Sequence, residues 1–155
     1  AGQALIGQAV GLANANTVNA QGQDVALRWR VEAWANVSGS GHSNASHIHG
    51  GAYWSGVYYV RAEGGESGHL LLHDPRMPGL RMHAPGLRLK NSGPELVARI
   101  QPRAGQLVLF PSWLSHSVEP WDGDGARISI ALNLSAPAPR AIAQTQPIET
   151  SKDKS

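Results

Sequence analysis

The chain contains no cysteine, and this absence excludes disulfides, thiol catalysis and cysteine-ligated zinc sites. Charged residues make up only 15% of the 155 positions, with 13 Lys and Arg against 11 Asp and Glu. A scattered and nearly balanced charge of this kind argues against a nucleic-acid partner. No apolar run approaches the length that crosses a membrane, so no membrane partner is expected. The N-terminus also lacks the pattern of a signal peptide, and the default prediction is a cytoplasmic protein.

The length of the chain is sufficient for one domain with a buried core. We predict that this single domain covers residues 1–136. Beyond it, the composition changes to Ala and Pro and then to Thr, Ser and Lys, which predicts a loose C-terminal tail over residues 137–155. The oligomeric state cannot be inferred from these features.

The hydrophobic periodicity changes once along the chain. Residues 1–20 predict a short helix, with an apolar face formed by Leu5, Ile6, Val10 and Leu12. From residue 25 the period becomes two, which predicts a half-buried strand over residues 25–32, and further short strands follow as far as residue 134. About seven short strands favour an all-β core. The predicted fold is therefore a double-stranded β-helix, or jelly roll, with a short N-terminal helix.

The segment 75–94 interrupts this series of strands. It is rich in Pro and Gly and carries several basic residues, and it is too long for an ordinary connection in a compact domain. We predict either a lid that closes over a substrate or a solvated connection without a function, and the sequence favours neither.

Three histidines carry the most specific pattern. His47 and His49 are one residue apart, so on an extended segment their side chains point to the same side. His116 follows a long apolar stretch, where an uncommitted polar ring would be costly to bury. Neutral imidazole is a good ligand for iron, zinc, copper and nickel, and three converging rings would form one face of a metal site. The alternative for a bare His-x-His pair is two unrelated surface histidines.

The final predicted strand has one apolar and one polar face. Arg127, Ser129 and Asn133 share the polar face, which is either exposed to solvent or forms the wall of an internal pocket. An arginine with a hydroxyl two residues away can bind a carboxylate through charge-assisted hydrogen bonds. Of the neighbouring Tyr58 and Tyr59, one should point into the barrel. We take Tyr58 and Asn133 as further candidates for contact with a bound anion.

Four blocks of sequence together carry a family resemblance. They are Ser46–His49, Tyr53–Val60, Leu107–His116 and Arg127–Asn133, and they include the runs SGVYYV and LFPSWLSH. Over about residues 27–135 the chain resembles the Fe(II)/2-oxoglutarate-dependent oxygenases of the small bacterial and phage type. The resemblance implies a double-stranded β-helix with His47 and His116 as iron ligands. It also implies that Arg127 and Ser129 bind the distal carboxylate of 2-oxoglutarate, and that an unidentified small-molecule or peptide substrate is hydroxylated.

The chain departs from the wider superfamily at His49, because a carboxylate usually stands there. If His49 binds the metal, the site is a three-histidine face. In a minor alternative, His49 is the first ligand and Gly51 occupies the carboxylate position, as in related halogenases.

Two other classes of protein remain open. One is a cupin-type dioxygenase or isomerase that uses no keto acid, although the glutamate of the usual cupin motif is missing. The other is a non-catalytic jelly-roll module that binds its ligand with Trp54, Trp113 and Trp121. Only the oxygenase gives Arg127 and Ser129 a stated role.

Overall fold

The computed structural model describes residues 2–63, 66–76, 86 and 96–137. The predicted C-terminal tail lies outside these residues, except for position 137. Most of the segment 75–94, for which a lid was one of the two predictions, also lies outside them. In the described part of the chain, no helix is long and apolar enough to cross a membrane.

A single helix, α1 (Gly2–Ala15), precedes the strands, as predicted. At its C-terminal end, two side chains donate hydrogen bonds to carbonyl oxygens of the last turn: Asn16 to that of Leu12 and Thr17 to that of Ala13. The predicted apolar face is wrong in part. The buried residues are Leu5, Ala9 and Ala13, whereas Ile6 and Leu12 are 39% and 43% exposed. Small alanines at this spacing let the helix backbone approach the sheet closely, and a pattern based on large apolar residues does not show this.

Eight strands follow the helix in the described residues. They are β1 (Arg30–Ser38), β2 (Asn44–His47), β3 (Trp54–Arg61), β4 (Leu70–His73), β5 (Val97–Ile100), β6 (Leu107–Pro111), β7 (His116–Val118) and β8 (Arg127–Ser135). They form two four-stranded sheets with the orders β1-β8-β3-β6 and β2-β7-β4-β5. All of the strand pairs are antiparallel. The fold is the predicted double-stranded β-helix.

Strand β8 lies in the middle of the first sheet, paired with β1 on one side and β3 on the other. On its outer face, Leu132 and Leu134 pack with Leu5, Ala9, Ala13 and Trp29 to form the main apolar cluster of buried residues. Helix α1 therefore covers the outside of this sheet. The other face of β8 points into the space between the two sheets.

The strand predicted over residues 25–32 is wrong in its bounds, since β1 begins only at Arg30. The alternation before it has a different cause. The backbone N–H of Leu27 and the indole N–H of Trp29 both donate to the side-chain oxygen of Asn14, near the end of α1. This segment is therefore held by the helix and alternates in burial without pairing in a sheet.

The packing of α1 can be tested with two substitutions. The predicted face expects the larger loss of stability at Ile6, and the observed face expects it at Ala9. Ala9→Leu adds volume where no space is available, and we expect the free energy of unfolding to fall by about 1–3 kcal/mol. Ile6→Ala removes an exposed side chain and should change it by no more than about 0.5 kcal/mol. Urea unfolding followed by circular dichroism measures both. A larger loss in Ile6→Ala than in Ala9→Leu would contradict the observed face.

Candidate metal centre and adjoining cavity

The register of strands β2 and β7 brings two of the three histidines together. His47 and His116 are direct partners across the two strands. Beside them, the hydroxyl oxygens of Ser46 and Ser115 lie 2.7 Å apart, although 69 positions separate these two serines in the chain. His49 lies two residues beyond the end of β2, where its backbone N–H donates to the carbonyl oxygen of Ser112 at 3.1 Å. One ring nitrogen from each histidine lies within 4.8 Å of those of the other two.

The hydrogen bonds of the rings show which nitrogens are free. Nδ1 of His47 is 2.8 Å from the Ala45 carbonyl oxygen, and Nδ1 of His116 is 3.0 Å from that of Leu114. A carbonyl oxygen only accepts, so each Nδ1 carries the proton and donates it. In the neutral ring, the lone pair is then on Nε2. Such a backbone contact fixes the tautomer and orientation of metal-binding imidazoles.

The surroundings of two of the rings favour the neutral form. Burial lowers the pKa of His116 below its ordinary value, and the neighbouring histidines lower it further, against the opposing effect of the hydrogen bond to Leu114. Burial, followed by the proximity of His47, lowers the pKa of His49. A neutral imidazole offers its lone pair without first losing a proton. The donor set therefore fits a borderline divalent metal ion such as Fe(II), Zn(II) or Ni(II).

The histidines open onto a cavity of about 110 Å³ between the two sheets. Both sheets contribute to its wall, and none of its described lining residues is acidic. The polar and charged lining residues are Asn36, Ser38, Asn44, His47, His49, Ser55, Tyr59, His116, Arg127 and Ser129. An anion entering this cavity would meet positive or neutral groups only.

Among the described lining residues, Arg127 carries the one guanidinium, and it is only 3% exposed. Its Nη1 donates to the Gly68 carbonyl oxygen at 2.8 Å, and its Nη2 donates to the Ser38 hydroxyl at 3.3 Å. Its carbon Cζ lies 5.9 Å from the ring centroid of Trp121, within the range of a cation–π contact. Among the described residues, Nε has no hydrogen-bond partner and no carboxylate pairs with this guanidinium. Burial lowers the pKa of Arg127, yet the group stays charged at neutral pH.

Ser129 and one of the two tyrosines also face the cavity. Ser129 is buried in its wall and is paired across the sheet with Tyr59. The structure thus corrects the choice of Tyr58, which lies on the opposite face of β3 and packs against the apolar cluster under α1. Burial raises the pKa of Tyr59 to about 12, although Arg127 partly offsets this, so its hydroxyl keeps its proton and can donate to an anion.

Asn133 occupies a different position from the one expected for an anion ligand. It accepts a hydrogen bond from the Ser55 hydroxyl at 2.8 Å. Ser55 lines the cavity, whereas Asn133 does not. The structure therefore places Asn133 behind Ser55, where it orients that hydroxyl.

Sequence reasoning did not find three groups that hold Arg127. Ser38 stands opposite it in the register of β1 and β8. Gly68 has a φ of +71°, and a Cβ there would lie 2.8 Å from Arg127 Nη1 and 2.9 Å from a ring carbon of Trp121. Trp121 is 1% exposed and donates from its indole nitrogen to the Gly125 carbonyl oxygen. The contacts with Gly68 and Ser38 join residues 59 and 89 positions from Arg127, so no local pattern in the sequence could have found them.

The tryptophans proposed as the contact surface of a binding module are not equivalent. Trp121 is buried behind Arg127, and Trp54 donates to Thr17 and packs against the cluster under α1. Trp113 alone of the three is exposed, at 62%. The predicted shared surface of three indoles is therefore wrong.

Comparison with known proteins gives one match to a protein family. Residues 32–133 match the sequence model of the family described as "Putative 2OG-Fe(II) oxygenase". The matched range contains all three histidines together with Arg127 and Ser129. A search of curated proteins gives no match.

Several solved structures are similar. An oxidoreductase of the 2OG-Fe(II) oxygenase family from Burkholderia pseudomallei has a TM-score of 0.54 at 11% identity, over 72% of this chain and 47% of that one. A prolyl-4-hydroxylase from Pseudomonas putida gives 0.48 at 19%, over 69% and 53%. A cupin domain from Bordetella pertussis Tohama I gives 0.42 at 17%, over 69% and 83%. The chain spans about half the length of the first two. Of these three, only the first has a TM-score above 0.5, and at 11% identity it supports the fold alone.

The three-histidine arrangement predicts which residues control metal binding. In protein freed of metal, anaerobic Fe(II) at about 100 times its dissociation constant should stabilise the fold by about 2.7 kcal/mol. His49→Ala and His116→Ala should each remove most of this gain, because each takes away a ligand. His42→Ala, which changes an exposed histidine outside the trio, is the matched control. Thermal unfolding with and without iron measures the effect. Full stabilisation in His49→Ala would show that His49 is not a ligand.

Proposed function

Because the chain belongs to the 2OG-Fe(II) oxygenase family, we propose that it is an Fe(II)- and 2-oxoglutarate-dependent oxygenase. It hydroxylates a substrate, a small molecule or a peptide, and releases succinate and CO₂. The observation that carries this proposal is the buried guanidinium of Arg127, which lines the same cavity as the three histidines and has no carboxylate partner among the described residues.

A buried charge without a countercharge is costly, and its retention needs an explanation. A carboxylate supplied by a ligand would complete the site. The positive charge of Arg127 would attract it to this wall of the cavity, which the side chains of Ser129 and Tyr59 share. Gly68, Ser38 and Trp121 fix the guanidinium in place, so that little conformational freedom is lost on binding.

In this proposal, His47, His49 and His116 hold the iron, and the keto-acid end of 2-oxoglutarate faces them. Iron, when bound, supplies the activation of O₂ that is coupled to oxidative decarboxylation of the keto acid. The residues themselves bind and orient the two partners. Three protein ligands would leave further coordination positions of the ion for the co-substrate and O₂.

The use of His49 in place of a carboxylate has an electrostatic consequence. Three neutral ligands leave the full double positive charge of Fe(II) in the cavity. Arg127 adds another positive charge, and no described lining residue is acidic. The site therefore favours a dianionic co-substrate, and 2-oxoglutarate is a dianion.

The geometry supports this proposal over the alternatives from the sequence. In the halogenase-like alternative, Gly51 takes the place of a ligand and His47 has no role. His47 and His116 are, however, direct cross-strand partners, and their ring centroids are 4.3 Å apart. A cupin-type enzyme without a keto acid would leave the buried Arg127 without a role.

The direct test is an anaerobic titration of the metal-free protein with Fe(II) and then with 2-oxoglutarate. A visible metal-to-ligand charge-transfer band should appear only when both are present. Once O₂ is admitted, 2-oxoglutarate should lose its C1 carboxylate as CO₂, and its keto carbon should become a carboxylate of succinate. An iron-loaded protein that gives no band at millimolar 2-oxoglutarate would contradict the proposal.

The role of Arg127 predicts a selective loss. Arg127→Lys keeps the charge but loses the planar fork, so the affinity for 2-oxoglutarate should fall by about 1.5–3 kcal/mol. Iron affinity should not change, because Arg127 is not a ligand. The charge-transfer band, followed as a function of 2-oxoglutarate concentration, measures the change.

Arg28→Lys makes the same replacement at an exposed position and is the matched control. Unchanged affinity for 2-oxoglutarate in Arg127→Lys would refute the assignment of Arg127. Loss of iron binding together with 2-oxoglutarate binding would indicate that Arg127 serves the fold.

A further inference from the structure

A second depression, of about 210 Å³, lies beside the candidate metal centre on the outside of the barrel. Three large side chains give it an apolar floor: Ile48, Tyr53 and Trp113 are 57%, 51% and 62% exposed. We call these three residues the apolar shelf. Exposed apolar groups that occur singly need no explanation, but a contiguous group beside a polar site is typical of a ligand-binding surface.

The shelf is held rigidly by Ser112, which is 3% exposed. Its backbone N–H donates to the Tyr53 carbonyl oxygen at 3.0 Å, and its carbonyl oxygen accepts from the His49 N–H at 3.1 Å. Its hydroxyl also donates to the Ala52 carbonyl oxygen. The loop that carries Ile48 and Tyr53 is thereby tied to the turn that carries Trp113. A preorganised surface of this kind binds with little loss of entropy.

The shelf is continuous with the metal centre, because His49 lines both the depression and the inner cavity. On the inner side, the ring of His49 meets Trp34 edge to face, with the centroids 6.3 Å apart. A ligand lying on the shelf would therefore reach the face of the metal centre that His49 forms. Among the described residues that line the depression, none is a Lys, Arg, Asp or Glu. The surface thus offers contact area to an uncharged group and no countercharge to an ion.

Size and backbone geometry also restrict the ligand. Pockets for drug-sized ligands measure about 300–1,000 Å³, so this depression suits a single ring system. An extended peptide would need a strand edge to pair with. The two edge strands beside the depression are short: β2 has four residues and a register irregularity against β7, and β6 has five. Both are poor templates for such pairing.

We propose that the apolar shelf binds the substrate of the oxygenase, and that this substrate is a small molecule with an uncharged aromatic ring. The ring lies against Trp113 and Tyr53, and the carbon to be oxidised reaches the metal past His49. This inference rests on the proposed function, and it adds the class of substrate.

The shelf can be tested without iron, because ring binding does not require the metal. We would follow the ¹⁹F relaxation of 5-fluoroindole added to the metal-free protein. The neutral ring should bind, and fluorinated indole-3-acetate and tryptamine, which carry opposite charges, should bind several-fold more weakly.

Equal binding of all three would overturn the proposal. Tighter binding of a pentapeptide with a central Trp, or of phosphatidylcholine vesicles, would also overturn it in favour of a peptide or a membrane surface.

Two variants locate the binding. Trp113→Ala should weaken 5-fluoroindole binding about tenfold, since it removes an aromatic partner and its contact area. Val18→Ala also shortens an apolar residue of comparable exposure, 53%, but one that lies outside the shelf, and it should have no effect. Unchanged affinity in Trp113→Ala would overturn the assignment.

A second measurement separates this inference from the proposed function. With Fe(II) and 2-oxoglutarate bound under anaerobic conditions, saturating indole should shift the charge-transfer band of the native protein. The band without indole should persist in Trp113→Ala, but indole should no longer shift it at that concentration. A band that forms normally but never responds to indole would overturn the shelf and leave the oxygenase intact. Indole binding in a protein that forms no band would overturn both, since the shelf would then serve no oxygenase.

Discussion

The pairing of β8 on both of its edges is the constraint on which the rest of the structure depends. Hydrogen bonds to β1 and β3 fix its register, and the alternation of side chains then assigns each residue to one face. Arg127 and Ser129 enter the cavity, whereas Leu132 and Leu134 lie under α1. A slip of one residue would exchange these faces, burying a guanidinium under the helix and exposing two leucines to the cavity. The apolar cluster and the candidate site therefore stabilise the same register.

The burial of Arg127 is unfavourable for stability when considered alone. A carbonyl oxygen, a hydroxyl and an indole ring replace part of its hydration, but none of them supplies a full countercharge. The glycine at position 68 belongs to the same arrangement, because its positive φ and the absence of a Cβ allow its carbonyl group to reach the guanidinium. A cost of this kind is more readily explained by binding than by folding, since a ligand carboxylate would offset it.

The sequence predicted the features that depend on local periodicity and missed those that depend on packing between elements. Alternation identified the polar face of β8, and the spacing of His47 and His49 identified the metal-site candidates. The same reasoning could not choose between Tyr58 and Tyr59, because alternation gives two faces and only the pairing with β8 shows which one is inside. It predicted the buried face of α1 only in part, because the helix also docks through alanines whose burial depends on the sheet beneath them. It also took the segment before β1 for a strand, although Asn14 holds it.

The two sides of the candidate metal centre differ in their physical character. Toward the interior, the histidines face a cavity that contains a buried cation and no described acidic group, an environment that attracts anions. Toward the exterior, His49 borders a depression whose described lining residues carry no charge, and exposed rings there offer apolar contact. The proposed reaction uses an anionic co-substrate to oxidise an uncharged organic molecule. Such a reaction requires both environments beside one metal ion. His49 lies at the boundary between them. In the proposed oxygenase, a neutral ligand at this position would leave more of the positive charge of the metal ion available to the anionic co-substrate.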